Sequence, residues 1–452
     1  MTIAEFRAAC MEKFDAASHE LNARTKTNIE KYRKGERTLR LIDKDGTPLA
    51  GARVKVTQKT HDFKYGANIF LLDEFESADT NRRYREQFAQ YFNLATVPFY
   101  WEGTEPDEGV LRYDKNSNKI YRRPAPDLCV EYCEQNGILP KLHCLFYDKF
   151  IPNWLPKTDS AAMWRLYEKR FAEIAERYAG KMYEFEVSNE MISTYKWKKC
   201  SILSYERDAT LRMWQMARKY FPNETLVIND TYPPDVGREG YYSPYYLMIE
   251  NLLRRGATID KVGVQNHIFC GCRASQEEDL PRYMKFFDPE LNLRGLEVLS
   301  SFGKPLEITE VTIPTLGEGE DAELLQAEIL RTLYTMWFAT PLMETVAYWN
   351  LADFTAYAEP GHDENKCRAG LFHHDMTPKA AAKELKRLFE EEWHTDETLV
   401  ADENGCVCFR GFFGEYDMEI DGERLSFGIH KGQTCFGTYK INNNQNERED
   451  RT

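Results

Sequence analysis

From about Tyr65 to Trp393 short apolar runs alternate with longer stretches of helical periodicity. The runs are Gly66–Phe70, Leu94–Pro98, Leu139–Leu145, Glu184–Val187, Leu226–Ile228, Val262–His267, Pro305–Ile308 and Val346–Trp349. Each is too short for a buried helix and is bounded by polar or turn-forming residues, which predicts a strand. Between them, apolar positions spaced three and four apart predict helices over Asn81–Tyr91, Leu128–Gln135, Ala161–Tyr178, Tyr205–Tyr220, Tyr245–Arg255, Glu290–Ser301, Ala322–Phe338 and Lys379–Glu392. Eight such repeats predict an α/β chain folded as a (β/α)8 TIM barrel. A doubly wound sheet is the competitor, but no Gly-x-Gly-x-x-Gly follows the first strand and no phosphate-binding Walker loop occurs.

The two ends of the chain carry different patterns. Phe6, Cys10, Phe14, Ala17 and Leu21 fall on one helical face, so residues 1–36 read as a leading amphipathic helix. Thr38–Ile42 and Ala52–Thr57 alternate as strands, joined through Asp45-Gly46 and Pro48. Cys406–Phe413, Tyr416–Ile420 and Leu425–Ile429 repeat that texture near the other end. Neither group can bury a core alone, so residues 37–64 and 395–441 are expected to form one small discontinuous β-sandwich-like domain beside a barrel of 65–394. Its expected role is a structural prop. The polar stretch 442–452 is expected to be disordered.

Composition narrows the partners. Fifty-nine Lys and Arg against 73 Asp and Glu give a net charge of −14, which repels phosphate backbones and anionic membranes, so neither nucleic acid nor a membrane is an expected partner. No apolar run reaches the length of a membrane-spanning helix. Met1 to Met11 lacks a basic start followed by an apolar stretch, so no secretory signal is read and a cytoplasmic location is expected. Eleven cysteines, an odd number, then fit reduced thiols. Cys270-Gly-Cys272 and Cys406-Val-Cys408 have one intervening residue each and no nearby histidine pair, so no metal is expected.

Barrel chemistry sits where strands end at their C-termini. The fourth strand ends Val187-Ser188-Asn189-Glu190, the seventh Ile308-Thr309-Glu310, the sixth Gln265-Asn266-His267 and the eighth Tyr348-Trp349-Asn350, while the third carries His143. A glutamate after a strand is commonly just the first residue of a helix, favoured there by the helix dipole. Two glutamates on opposite strands, one preceded by Asn, with amide, imidazole and indole groups around them, instead suit glycoside hydrolysis.

At these positions the chain resembles glycoside hydrolase family 10, the xylanase family, over about Phe63 to Leu385. The pieces occur in order. Phe92-Asn93 and Thr104-Glu105-Pro106 to Gly109 resemble the second-strand block, and Asn136-Gly137, His143 and Pro152-Asn153-Trp154-Leu155 the third. Asn189-Glu190 resembles the acid/base pair, Asn229-Asp230 the fifth-strand end, Gln265-x-His267 the sixth, Thr309-Glu310 the nucleophile and Trp349 the eighth. The resemblance implies a retaining mechanism with Glu310 as nucleophile, Glu190 as acid/base and carboxyls about 5–5.5 Å apart. At that spacing two charges repel by about 3 kcal/mol at an effective dielectric near 20, enough to keep one carboxyl protonated near neutrality. Asn189 is expected on the sugar 2-hydroxyl, and His143, Gln265, His267, Trp349, Trp101, Tyr147 and Tyr100 along the substrate. No cofactor is implied.

The sequence departs from the family on the glycone side. Where the family has a Glu-Asn pair followed by a Lys, this chain has Thr96-Val97 and Tyr100, and Tyr147-Asp148-Lys149-Phe150 replaces a Trp-His-Ser-Gln segment. At least two sugar hydrogen bonds are lost, worth about 0.5–1.5 kcal/mol each. The expectation is a shortened glycone side and a preference for short xylan-type or related plant oligosaccharides. Two other readings fit the same residues: a same-clan glycosidase acting on a non-xylan glycoside, and a sugar-binding barrel without catalysis.

Overall fold

The computed structural model describes residues 1–193, 200–433 and 435–441. The chain packs as two units, one of Met1–His19 with Lys64–Lys383, the other of Glu20–Phe63 with the chain from Glu384 onward. The leading helix, Ile3–Tyr32, therefore contributes to both rather than standing as a separate segment. Its first half buries Phe6, Cys10, Met11 and Phe14 in the first unit, and Arg7 pairs there with Glu328. The stretch 442–452, expected to be disordered, lies outside the described residues.

In chain order, β1 (Lys34–Ile42) and β2 (Arg53–Gln58) belong to the second unit. The barrel follows as β3 (Lys64–Asn68), β4 (Leu94–Pro98), β5 (Leu139–Phe146), β6 (Glu184–Asn189), β7 (Leu226–Asp230), β8 (Lys261–His267), β9 (Leu306–Thr312) and β10 (Met343–Tyr348). These eight pair in parallel and close, β10 meeting β3. Every residue of β4, β6, β7, β8 and β9 is buried, as expected of parallel strands covered on both faces. Local chemistry starts the intervening helices: Ser77, Asp159, Ser243 and Asp288 each accept a first-turn backbone N–H, and Pro244 and Pro289 occupy first-turn positions.

The barrel interior opposite the strand ends holds charge. Lys141, Glu184, Lys261 and Glu307 on β5, β6, β8 and β9 form a closed ring of ion pairs, with Lys141 and Lys261 3.1 and 2.9 Å from Glu184 and Lys261 3.1 Å from Glu307. Lys141 also pairs with Glu307. Each cation touches both carboxylates, which offsets the cost of burying four charges.

After a two-residue ribbon, β11 (Ala358–Glu359) and β12 (His362–Asp363), the chain forms β13 (Asp396–Val400), β14 (Cys406–Phe412), β15 (Gly414–Ile420), β16 (Glu423–Ile429) and β17 (Phe436–Lys440). A sheet ordered β14-β1-β17 and another ordered β13-β2-β15-β16 enclose one core of Leu39, Leu41, Val54, Val56, Tyr416, Met418, Phe427 and Ile429. Strands from the two ends of the chain thus share a sandwich. β13 and β17 are additional to the strands the sequence pattern marks, because each is half exposed and lacks a run of apolar positions.

Candidate active site

The mouth of the barrel is lined by the ends of β6 to β10 around a cleft of about 620 Å³. Glu310 projects from β9 and is nearly fully buried. Its Oε1 accepts from Asn229 Nδ2 at 2.8 Å and from Gln265 Nε2 at 3.0 Å, and its Oε2 lies 3.1 Å from His267 Nε2. His267 Nδ1 in turn lies 2.8 Å from the Thr312 hydroxyl, which orients the ring. Burial opposes the Glu310 carboxylate, but the His267 hydrogen bond, the positive charge of His143 and the Gln265 amide outweigh it. They hold Glu310 below the usual carboxylate range.

Glu190 follows β6, with its backbone in the left-handed region at φ 52°. The chain is held there by the Glu190 N–H donating to the Asn229 carbonyl at 3.1 Å. Left-handed backbone is disfavoured for a residue with a Cβ, so the turn is a local cost carried at the cleft. Glu190 Oε2 accepts from the Tyr147 hydroxyl at 2.5 Å and its Oε1 from Gln265 Nε2 at 3.1 Å. One amide nitrogen therefore touches both glutamates, and the two oxygens it joins are at most about 6 Å apart. Asp230, at the end of β7, accepts the Ile192 N–H at 2.9 Å and fixes the turn after Glu190. Burial pushes its carboxyl up to about 7, opposed by that N–H and reinforced by the Glu190 charge.

Asn189, Gln265, His267, Tyr100, Tyr147 and Trp349 all line the cleft. Asn189 is fixed by Asn229 Nδ2, 2.9 Å from its Oδ1. His143 is brought close but does not face the open cleft: it is fully buried, 2.9 Å from both the Tyr100 hydroxyl and Glu186 Oε1. Burial pushes its pKa down, but the charge and hydrogen bond of the Glu186 carboxylate outweigh that and leave it above the usual histidine value. Trp101 is a correction. It lies away from the cleft, with its indole N–H donating to Glu105 at 2.9 Å and its ring edge-on to Tyr167 and Trp154. It opens the short helix Trp101–Thr104, so the Trp-x-x-x-Glu spacing is an i to i+4 clip within that turn.

Several residues of the site carry no role in the sequence reading. Asn229 links Glu310 to Asn189, and its Oδ1 accepts from Thr309 at 2.6 Å. Its signal was available, as a polar residue ending an otherwise apolar strand. Glu186 lies inside an apolar run, and Arg122 and Arg123 lie in a long connection without periodicity. On the remodelled side Val97 is fully buried, and Phe70, Tyr100, Tyr147, Trp349 and Phe150 pack as one aromatic wall. Asp148 is buried and turned from the cleft, accepting from Ser201 N at 2.6 Å. All eleven cysteines are free thiols. Among the described residues, three side chains, His143, Cys144 and Glu186, are close enough together to share a metal ion. No helix of the described residues is long and apolar enough to cross a membrane.

A parallel eight-stranded barrel with paired glutamates at the ends of its fourth and seventh strands defines the class. The profile of glycosyl hydrolase family 10 matches residues 65–387, and the chain belongs to that family. It is 25% identical over 399 residues to endo-1,4-beta-xylanase 2 of Arabidopsis thaliana, covering 86% of this chain and 32% of that protein. It is 24% identical over 414 residues to anti-sigma-I factor RsgI6 of Acetivibrio thermocellus, covering 90% of this chain and 46% of that protein. The chain thus spans about a third to a half of these relatives' length. Native xylanase 10B from Thermotoga maritima superposes over 73% of this chain and 96% of its own, with a TM-score of 0.58 at 19% identity.

Proposed function

We propose that the protein hydrolyses β-glycosidic bonds of xylan-type or related plant oligosaccharides with retention of configuration. The observation that carries this reading is the Gln265 amide bridging Glu190 and Glu310. Two carboxylate oxygens at most about 6 Å apart, joined by one amide nitrogen, are compatible with the ~5–5.5 Å carboxyl spacing of retaining pairs.

Glu310 attacks the anomeric carbon, its charge held by His267, Asn229 and Gln265. Glu190 donates a proton to the departing oxygen and a glycosyl ester forms on Glu310. That esterification removes the negative charge beside Glu190, which then accepts a proton from the incoming water. The 2.5 Å contact with Tyr147 serves both stages, because the phenol donates when Glu190 is ionised and accepts when it is protonated. Asn189, aligned by Asn229, meets the 2-hydroxyl, and Trp349 offers a stacking face.

The test is mass-spectrometric product analysis on defined oligosaccharides, with chromogenic glycosides of several sugars alongside. Cleavage of xylo-oligosaccharides supports the reading, and cleavage of another glycoside alone replaces the substrate while keeping the chemistry. The remodelled glycone side, with Val97 buried beneath an aromatic wall, motivates a second reading, a barrel that binds sugar without cutting it. No turnover of any glycoside, with retained sugar binding, would establish it.

A further inference from the structure

On the remodelled side of the cleft, Arg123 stands over three rings. Its guanidinium carbon lies 4.3 Å from the Tyr100 ring centre, 5.3 Å from Phe150 and 5.7 Å from Phe70. Nη1 donates to the Arg122 carbonyl at 3.0 Å, which fixes the plane. Nε and Nη2 have no hydrogen-bond acceptor among the described residues, and no carboxylate among them lies within ion-pair distance of Arg123. Burial lowers its pKa from the usual value, with Arg122 adding to the effect, and an arginine remains charged all the same. Glu102 acts on Arg123 through space without pairing with it, and two further acids of the cleft are engaged elsewhere. Glu364 accepts from Asn350 at 2.6 Å and Glu359 from Tyr357 at 3.1 Å.

A half-buried cation with no direct ion pair keeps hydrogen-bonding capacity that an arriving anion can use, Glu102 acting on it only through space. The three rings and the Arg122 carbonyl confine the guanidinium, so less side-chain freedom remains to be lost on binding. Tyr100, under Arg123, is 5.9 Å from the ring of Tyr147, whose hydroxyl touches Glu190. The cation therefore belongs to the cleft in which the substrate is cut.

We propose that Arg123 receives a carboxylate carried by the substrate, so that the preferred oligosaccharide bears a uronic acid on its glycone side. The aromatic wall takes a sugar face and the guanidinium edge takes the carboxylate in two parallel hydrogen bonds. This inference rests on the glycosidase reading above and adds its substrate class.

The experiment compares kcat/KM for a glucuronic-acid-bearing xylo-oligosaccharide with that for its uncharged methyl ester, in the wild type, Arg123→Gln and Arg123→Lys. The wild type should favour the acid by about tenfold or more, the weight of hydrogen bonds to a charged group. Arg123→Gln should bring the acid-to-ester ratio close to one. Arg123→Lys should keep an intermediate ratio, having the charge without the fork. A merely structural Arg123 would lower both rates together and leave the ratio unchanged, which overturns the inference, as does a wild-type ratio near one. Turnover of neither compound nor of unbranched xylo-oligosaccharides would instead overturn the glycosidase reading, and this inference with it.

Discussion

The Gln265 side-chain amide reaches both glutamates, so the two carboxylates are organised as a unit by a residue that performs no chemistry itself. The proposed division of labour predicts different responses to replacement. Glu190→Ala should cut kcat by about 10²- to 10⁴-fold on oligosaccharides, whose leaving oxygen needs a proton. It should spare the first step on aryl glycosides with acidic leaving groups. Glu310→Ala should lose both, and burst kinetics on the two substrates separates these outcomes. His267→Ala should shift the acid limb of kcat/KM. The Glu310 pKa is depressed in the folded protein, so its ionised form persists as pH falls below the ordinary glutamate range, and its contribution to stability is likewise present above that range and lost on acidification through the folded value. Removing the imidazole hydrogen bond should move the limb to higher pH. An unmoved limb would show that His267 does not hold the charge.

At the scale of elements, strand ends were the legible part of the sequence and strand interiors the hidden part. A polar residue terminating an apolar run is conspicuous, which is why Glu190, Gln265, His267 and Glu310 could be placed on strand ends from the chain alone. Lys141, Glu184 and Glu307 sit inside such runs and find partners on other strands, so no local pattern discloses their ring. Breaking that ring leaves uncompensated buried charge. Lys261→Met should therefore destabilise the protein by about 3–5 kcal/mol in urea unfolding, and a change below about 1 kcal/mol would contradict the buried network. A second hidden contact joins the helix Pro233–Glu239, which contributes Asp235 and Val236 to the cleft wall, to the helix Pro289–Ser300. A Cβ on Gly295 would stand 1.9 Å from the Pro233 carbonyl oxygen. Gly295→Ala should force the two helices apart at a cost of about 1–3 kcal/mol, lowering the melting temperature. Trp101 shows the opposite limit, since an indole near a strand end can as well turn inward to clip its own helix.

For the whole molecule, the barrel and its paired glutamates follow a repeating pattern, while the character of the cleft depends on connections that have none. The buried Val97 and the His143-bound Tyr100 offer few groups to a distal sugar. Extending the substrate on the glycone side should therefore raise kcat/KM by less than about fivefold, within the ~0.5–1.5 kcal/mol of a single hydrogen bond, and a steep rise up to polymeric xylan would contradict that view of the wall. The central claim is double displacement by Glu310 and Glu190, and the stereochemistry of the first-formed product tests it most directly. An NMR time course of oligosaccharide cleavage should show the β-anomer of the new reducing end appearing first, with the α-anomer arising only at the rate of mutarotation. Initial release of the α-anomer would mean single displacement by water and would remove the nucleophile's role from Glu310.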